Sequence, residues 1–324
     1  MSSDLMHPAA LLIAVAADAL LGEPGWLYRR LPHPVVAIGS VIAWADRRFN
    51  RASDTDARRR RGGIMVAAGL VASAFGLGWV LQAALLALPW GPLWLGLVMS
   101  TLIAQRSLYA HVADVASALE LSGIEGGRIA VARIVGRDPD RLDEAGVSRA
   151  AVESLAENFS DGIVAPIFWG LLLGLPGMLA YKALNTADSM IGHKTPRHLA
   201  FGWASARADD WANLPASRLS ALLLVLAALL QRGADAVSAW RAVRRDARRH
   251  KSPNAGWPEA AMAGALGLAV AGPRTYHGRL VPDPWMNDGG RWQLNAADIR
   301  AGLSLYWRAC LILAILVVIC VGVD

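Results

Sequence analysis

Long apolar runs alternate with polar stretches along the 324-residue chain, and this pattern predicts helices that cross a membrane. Residues 64–88 contain no charged side chain and a single glutamine. About 20 apolar residues are enough to cross the hydrocarbon core of a bilayer as a helix. The pattern predicts four spans, near residues 6–22, 64–88, 90–108 and 303–323.

Two further apolar stretches are ambiguous. Residues 163–180 contain several prolines and glycines, and residues 219–230 are short for a span. Helix-breaking residues at membrane depth are tolerated where the backbone is buried in protein or lines a wet cavity. We therefore expect buried or re-entrant helices at both stretches. The predicted fold is an all-α, polytopic membrane protein with one domain, residues 1–324, and a polar catalytic region at 109–302.

Composition narrows the class of protein. The chain is 55% hydrophobic and 18% charged, with a mean hydropathy of +0.35, whereas soluble domains are about 25% charged. Intrinsic disorder is excluded, because ample apolar surface is available for burial. Cys310 and Cys320 would lie ~15 Å apart on a helix, too far for a disulfide. No motif for zinc, nucleic acid or a phosphate-binding loop is present. The net charge of +6 therefore favours a lipid surface or acidic small molecules over nucleic acid.

Arginines predict the orientation in the membrane. They concentrate in residues 29–61 and again in residues 241–249. Cytoplasmic segments of membrane proteins collect Lys and Arg, so both segments are expected inside and the C-terminus outside. The predicted location is the cell (inner) membrane, with the active site facing the cytoplasm.

Acidic side chains recur at helical spacing in the polar middle of the chain. Glu153 and Glu157 are one helical turn apart, and Asp161 extends that face if the helix continues. Like charges at this spacing repel, so a cation is expected. Mg²⁺ fits, because it binds one or two carboxylates together with substrate phosphates. The alternative is an exposed helix face neutralised by neighbours such as Arg149.

The spacing then repeats with amides. Asn158 with Asp161, Asn185 with Asp188, and Asp209 and Asp210 with Asn213 each place two oxygen ligands on one helix face. Basic residues interleave with them: Lys182, Lys194, Arg197, Arg207 and Arg218. Such a mixture suits Mg²⁺ with a polyphosphate. We predict that six carboxylates converge on one site: Glu153, Glu157, Asp161, Asp188, Asp209 and Asp210.

Two motifs are rich in turn-forming residues. His33 lies between prolines and predicts an extended turn, in which the imidazole either binds a ligand or only caps and hydrogen-bonds. Residues 250–255 form a turn-rich loop that leads into a helix of small residues. Small residues allow close approach either of another helix or of a flat ligand.

Seven motifs, in order, closely resemble the CobD/CbiB family of membrane-bound cobalamin biosynthesis proteins, the adenosylcobinamide-phosphate synthases. They are DALLGEP (18–24), PHPVVAIG (32–39), ARIVGRD (132–138), RAAVESLAENFSDGIVAP (149–166), YKALNTADSMIGHK (181–194), FGWASARADDWANLPASR (201–218) and SPNAGWPEAAMAGALGLAVAG (252–272). One departure is Glu23, where the family commonly has Asp.

The resemblance implies a ligase. In this family a propionate carboxylate of adenosylcobyric acid is joined to (R)-1-aminopropan-2-ol or its O-phosphate, with ATP and Mg²⁺. The expected catalytic residues are Glu153, Glu157, Lys194, Asp209 and Asp210. The expected substrate- and ATP-binding residues are His33, Arg137, Asn158, Asn185, Arg207, Asn213, Arg218, Ser252 and Asn254. The expected metal ligands are Glu153, Glu157, Asp161, Asp188 and Asp210.

Lys194 is singled out by composition, because only three of the 32 basic side chains are lysines. A compact ammonium can lie against a transferring phosphoryl group, and Gly192 nearby permits close approach of a ligand to the backbone. The alternative for Lys194 is an interfacial lysine among lipid headgroups. Two other functions remain open: a Mg²⁺-dependent membrane prenyl- or phosphoalcohol-transferase, which would not consume ATP, and a non-enzymatic scaffold, which would not turn over alone.

Overall fold

The computed structural model describes residues 6–22, 28, 33–135, 139–276, 279–281 and 283–322. They fold mainly into helices, with only short strands besides, which confirms the all-α class. The helices are α1 (Met6–Leu21), α2 (Pro34–Phe49), α3 (Asp56–Leu86), α4 (Gly91–Ser100), α5 (Gln105–Val131), α6 (Glu144–Phe159), a π-helix (Ser160–Val164), α7 (Ala165–Ile191), α8 (Trp203–Ala228), α9 (Ala236–Asp246), a 3₁₀ turn (Ala247–Arg249), α10 (Gly256–Leu266) and α11 (Ala296–Gly322).

Short strands make up the remaining regular structure of the described residues. They are β1 (Val270–Ala271), β2 (Arg274–Tyr276), β3 (Arg279–Val281) and β4 (Trp285–Met286). β1 pairs antiparallel with β4, and β2 pairs antiparallel with β3.

In the part of the chain that the structure describes, four helical segments are long and apolar enough to cross a membrane: Asp56–Leu86, Glu144–Ile191, Trp203–Ala228 and Ala296–Gly322. The first and last contain the cores of two predicted spans, 64–88 and 303–323. Most of the apolar window of Asp56–Leu86 is exposed, with 17% buried. Exposed apolar side chains on such a helix are suited to contact with lipid.

The other two predicted spans differ from the structure. Residues 6–22 form a shorter helix of 16 residues, and the predicted helix 90–108 is interrupted after Ser100, so that α4 has only 10 residues. The ambiguous stretches 163–180 and 219–230 instead lie in long helices. A prediction from apolar runs alone underestimated the length of those helices, because α7 and α8 include polar sequence at residues 185–191 and 203–213.

The chain divides into two compact units. Unit 1 comprises the described residues within Met1–Ala104, Ala165–Asn213 and Val317–Asp324, and unit 2 those within Gln105–Val164 and Leu214–Leu316. The sequence predicted one domain with a polar region at 109–302. Residues 109–302 contribute to both units, and the one-domain assignment stays a prediction.

Unit 1 is held by close packing of α2, α3 and α7. Ile42 of α2 is buried with Ile191 of α7 and with Phe201. A side chain at Gly63 of α3 would overlap the carbonyl oxygen of Phe201. Glycine therefore allows α3 to touch the backbone of the segment that follows α7.

A break divides α7 near its middle. Gly174 has a positive φ of 66°, which glycine adopts without the cost that a Cβ imposes. At the break, the backbone N–H of the buried residue Leu175 donates to Oε1 of Gln82 on α3 at 2.9 Å. The single glutamine of the predicted span 64–88 thus satisfies a backbone group in an apolar setting. The segment Glu144–Ile191 is largely buried, in agreement with the expectation of a buried helix at 163–180.

Unit 2 packs α5, α6, α10 and most of α11 around an aromatic core. Tyr306 is fully buried beside Phe159, and its hydroxyl donates to the carbonyl oxygen of Gln105 at 2.6 Å. After Phe159 the chain forms the π-helix rather than further α-helix. The predicted α-helical face through Asp161 is therefore not continued, because a π turn changes the angular position of the residues in it.

Candidate active site

A buried cluster of acidic and amide side chains lies between α7 and α8 in unit 1. We call it the acid–amide cluster, and its members are Asn185, Asp188, Asp209, Asp210 and Asn213. Asp209 is 6% exposed, and its two carboxylate oxygens accept separate hydrogen bonds. Asn185 donates at 3.3 Å and Asn213 at 3.0 Å. Two of the three predicted acid–amide pairs therefore meet.

Tyr181 extends this cluster and was not predicted as a site residue. Its hydroxyl donates to Oδ1 of Asn213 at 2.8 Å, so it fixes which end of the amide faces Asp209. Tyr181 precedes Asn185 by one helical turn, and this spacing is the sequence signal that would have found it. Buried polar groups that are fully hydrogen-bonded hold a unique geometry.

Negative charge is concentrated in the acid–amide cluster. The charges of Asp188 and Asp209 act on each other, and Asp210 acts on both. Lys194 and Arg207 are exposed and act on Asp210 with the opposite charge. The cluster thus combines one buried carboxylate, Asp209, and two half-buried ones with exposed cations, the mixture that the sequence predicted for phosphate chemistry.

The carboxylate of Asp188 lies against the backbone of Gly192. A Cβ at Gly192 would collide with the Asp188 side chain and with its carbonyl oxygen, which accepts from the Gly192 N–H at 2.7 Å. The sequence analysis expected a ligand to lie close to the backbone of Gly192. In the structure, Asp188 lies close to that backbone.

The loop that carries Lys194 is anchored by an ion pair. Arg197 donates from Nε and Nη2 to Oδ2 of Asp46 on α2, at 3.2 and 2.6 Å. Asn50 donates to Oδ1 of the same carboxylate at 2.7 Å. Burial raises the pKa of Asp46, but the hydrogen bonds from Asn50 and Arg197 outweigh it and hold the pKa below its ordinary value. This network attaches the loop to α2 at Arg197.

The acid–amide cluster suits Mg²⁺ bound by a few carboxylates, with the other ligands supplied by water and substrate. Within the described residues, no group of three or more His, Cys, Asp or Glu side chains is arranged to hold a metal ion. An all-protein cage is therefore not found there. Mg²⁺ more often binds one or two carboxylates and takes its remaining ligands from water and substrate phosphates. Asp188 and Asp210 are the carboxylates of the cluster that would serve as such a pair.

The third predicted acidic group belongs to unit 2. Glu153 is 7% exposed, and its carboxylate accepts from the backbone N–H of Ala271 at 2.9 Å, which attaches β1 to α6. Glu157 and Asn158 are exposed, and Asp161 lies in the π-helix. Convergence of these residues with the acid–amide cluster remains a prediction.

The predicted binding residues Arg218, Ser252 and Asn254 come together within unit 2. Nη1 of Arg218 donates to Oδ1 of Asn254 at 2.8 Å, and the Ser217 hydroxyl donates to the same oxygen at 3.0 Å. Ser252 shapes the loop, because its hydroxyl accepts from the backbone N–H groups of Asn254 and Ala255, both at 3.2 Å. Ser217 was missed by the sequence reasoning, although it is adjacent to Arg218.

His33 and Arg137 are two further predicted binding residues. His33 is the N-cap of α2 with extended backbone angles (φ −58°, ψ 140°), and its Nδ1 accepts from the Val35 N–H at 3.2 Å. His33 therefore makes the cap that one of the two alternatives describes, and its role in binding a substrate stays a prediction. Arg137 lies outside the described residues, as does Glu23.

Helices long enough to cross a membrane, together with a buried polar cluster, define a polytopic helical membrane protein. A profile of the CobD/CbiB family ("CobD/Cbib protein") matches residues 11–306. The chain is 52% identical to the cobalamin biosynthesis protein CobD of Rhizobium meliloti, over 93% of this chain and 92% of that one. It is 50% identical to CobD of Brucella suis over 95% of both chains, and 48% identical to CobD of Rhodobacter capsulatus over 93% of both. No solved structure matches the chain. The chain belongs to the CobD/CbiB family.

Proposed function

We propose that the protein acts in cobalamin biosynthesis as an ATP-dependent ligase. It joins (R)-1-aminopropan-2-ol or its O-phosphate to the propionate carboxylate of adenosylcobyric acid. Its relatives carry the name cobalamin biosynthesis protein, which supports the pathway. The observation that carries the chemistry is the acid–amide cluster, in which Asp209 is buried and the charges of Lys194 and Arg207 act on Asp210.

The chemical difficulty of the reaction is that a carboxylate is a poor electrophile. In the proposed reaction the propionate oxygen attacks the γ-phosphorus of ATP, the bond to ADP breaks, and an acyl phosphate forms. The amine nitrogen then attacks the acyl carbon and phosphate leaves. The proton lost by the amine ends on the departing phosphate, so that the products are amide, ADP and inorganic phosphate.

The side chains of the cluster have distinct roles in this proposal. Lys194 and Arg207 hold phosphate oxygens, because positioned cations stabilise the charge of phosphoryl transfer. Asp209, oriented by two amides, relays the amine proton. Mg²⁺ held by Asp188 and Asp210 would neutralise charge on the phosphates.

The test uses full-length protein in detergent with adenosylcobyric acid, Mg²⁺ and each amine, with and without ATP. Mass spectrometry of the corrinoid should show the amide only when ATP is present, with one ADP formed per amide. Product formation without ATP consumption, or no product from either amine, would contradict the proposal. A membrane prenyl- or phosphoalcohol-transferase would leave ATP intact.

Substitution connects the activity to the cluster. Asp188→Asn removes one carboxylate with little change in shape and should reduce turnover about 100-fold. Asp114→Asn is the matched control, because Asp114 is an exposed carboxylate on α5, and it should retain normal turnover. Equal activity of the two variants would show that the acid–amide cluster does not take part in the reaction.

A further inference from the structure

Arg218 differs from neighbouring basic residues of unit 2 in its partners. Arg245 and Arg249 both pair with Asp246, at 2.6 and 3.4 Å, and Lys251 pairs with Asp283 at 3.2 Å. Arg218 is half-buried, and its acceptors among the described residues are neutral oxygens of Leu214, Ser217 and Asn254. A half-buried guanidinium without a carboxylate is costly unless an anion approaches it.

One edge of the Arg218 guanidinium is available. All of its hydrogen bonds to described residues come from Nη1, which leaves the edge formed by Nε and Nη2. This edge binds carboxylate and phosphate oxygens in a two-pronged arrangement. Arg197 uses the same two nitrogens to bind Asp46.

Two neighbours complete the arrangement. The ring of Trp257 lies under the guanidinium, with 4.4 Å between the ring centroid and Cζ, so that the planar group is held in one orientation. Arg248 is exposed and its charge acts on Arg218. Two like charges kept close together, with no acidic partner for either among the described residues, attract an anion.

We propose that Ser217, Arg218, Arg248, Asn254 and Trp257, here called the Arg218 cluster, form a binding site for the phosphate group of a soluble substrate. Nε and Nη2 of Arg218 bind two phosphate oxygens, and Arg248 supplies the second positive charge. Asn254 and Trp257 fix the guanidinium without touching the ligand. The identity of the reactant that carries the phosphate rests on the proposed function, whereas phosphate binding at this site does not. Binding is measured without turnover, so the two can fail separately.

The test measures binding of inorganic phosphate to the full chain in detergent, by titration calorimetry at fixed ionic strength. Arg248→Gln changes an exposed residue and is not expected to affect folding. It should raise the Kd for phosphate about tenfold, the effect of losing one charge-assisted contact. Arg218→Gln should abolish binding, and Arg218→Lys should not restore it, because an ammonium lacks the planar edge.

Arg244→Gln is the matched control, an exposed arginine on α9 with the same change in net charge, and should bind phosphate as the wild type does. Equal weakening in Arg244→Gln and Arg248→Gln would mean diffuse electrostatics and overturn the site. Unchanged phosphate binding in Arg218→Gln would overturn it as well. Displacement of phosphate from the wild-type protein by phosphatidylglycerol in mixed micelles would assign the arginines to a lipid headgroup and contradict the substrate assignment.

Discussion

At the scale of single residues, substitutions of Lys194 distinguish a specific contact with phosphate from a general electrostatic effect. It is exposed and acts electrostatically on Asp210. If it contacts the ATP phosphates or the acyl phosphate, Lys194→Arg and Lys194→Ala should each lose about 100-fold in turnover, or ~2.7 kcal/mol of transition-state stabilisation. Turnover at saturating ATP is the measurement, and Lys251→Arg is the control. Near-normal turnover in Lys194→Arg would show that any positive charge suffices at this position and would contradict the specific contact.

Gln82 is the residue on which the break in α7 depends. Gln82→Leu keeps the side chain similar in size but leaves the Leu175 N–H without its acceptor. An unsatisfied buried group costs about 1–3 kcal/mol, so the variant should melt at a clearly lower temperature in detergent. Val80→Leu changes an exposed position on the same helix and should have little effect. If both variants melt alike, the hydrogen bond does not stabilise the break.

At the scale of elements, the contact between α2 and the Lys194 loop should depend on pH. The pKa of Asp46 is lowered in the folded protein, so its stabilising effect is present above the unfolded value of about 3.9. That effect is lost as the pH falls through the lower, folded value. Because Arg197 is 55% exposed, the ion pair contributes only about 0.5–1 kcal/mol.

Asp46→Asn is the variant that tests this contact. It should melt below the wild type at neutral pH, and the two melting temperatures should converge as the solution is acidified below about pH 4. Thermal unfolding in detergent over a pH series is the measurement. A difference that does not change with pH would show that the charge of Asp46 is not involved.

Local spacing explains which elements were predictable. Asn185 with Asp188, and Asp209 with Asn213, lie on single helix faces, so their joint orientation follows from the helical period. Their meeting also required that α7 and α8 pack together, which the sequence does not specify. The π-helix after Phe159 was missed because a turn of five residues is too short to produce a recognisable periodicity. The Gln82–Leu175 contact was missed because it joins residues 93 positions apart.

At the scale of the whole molecule, the arginines predict the topology of the last helix. The segment 241–249 is rich in arginine and is expected on the cytoplasmic side, and α11 is long and apolar enough to cross once. A reporter fused after Asp324 should therefore be extracytoplasmic, as judged by phosphatase and fluorescent-protein fusions. A cytoplasmic signal would require α11 to return or the arginine segment to lie outside.

Activation of the corrinoid carboxylate by ATP is the central claim, and oxygen isotope transfer tests it most directly. Adenosylcobyric acid labelled with ¹⁸O in the reacting carboxylate is converted with unlabelled ATP, and the released inorganic phosphate is analysed by mass spectrometry. An acyl phosphate predicts one ¹⁸O atom in each phosphate and one retained in each amide. Label in AMP, or unlabelled phosphate with the amide still formed, would contradict it.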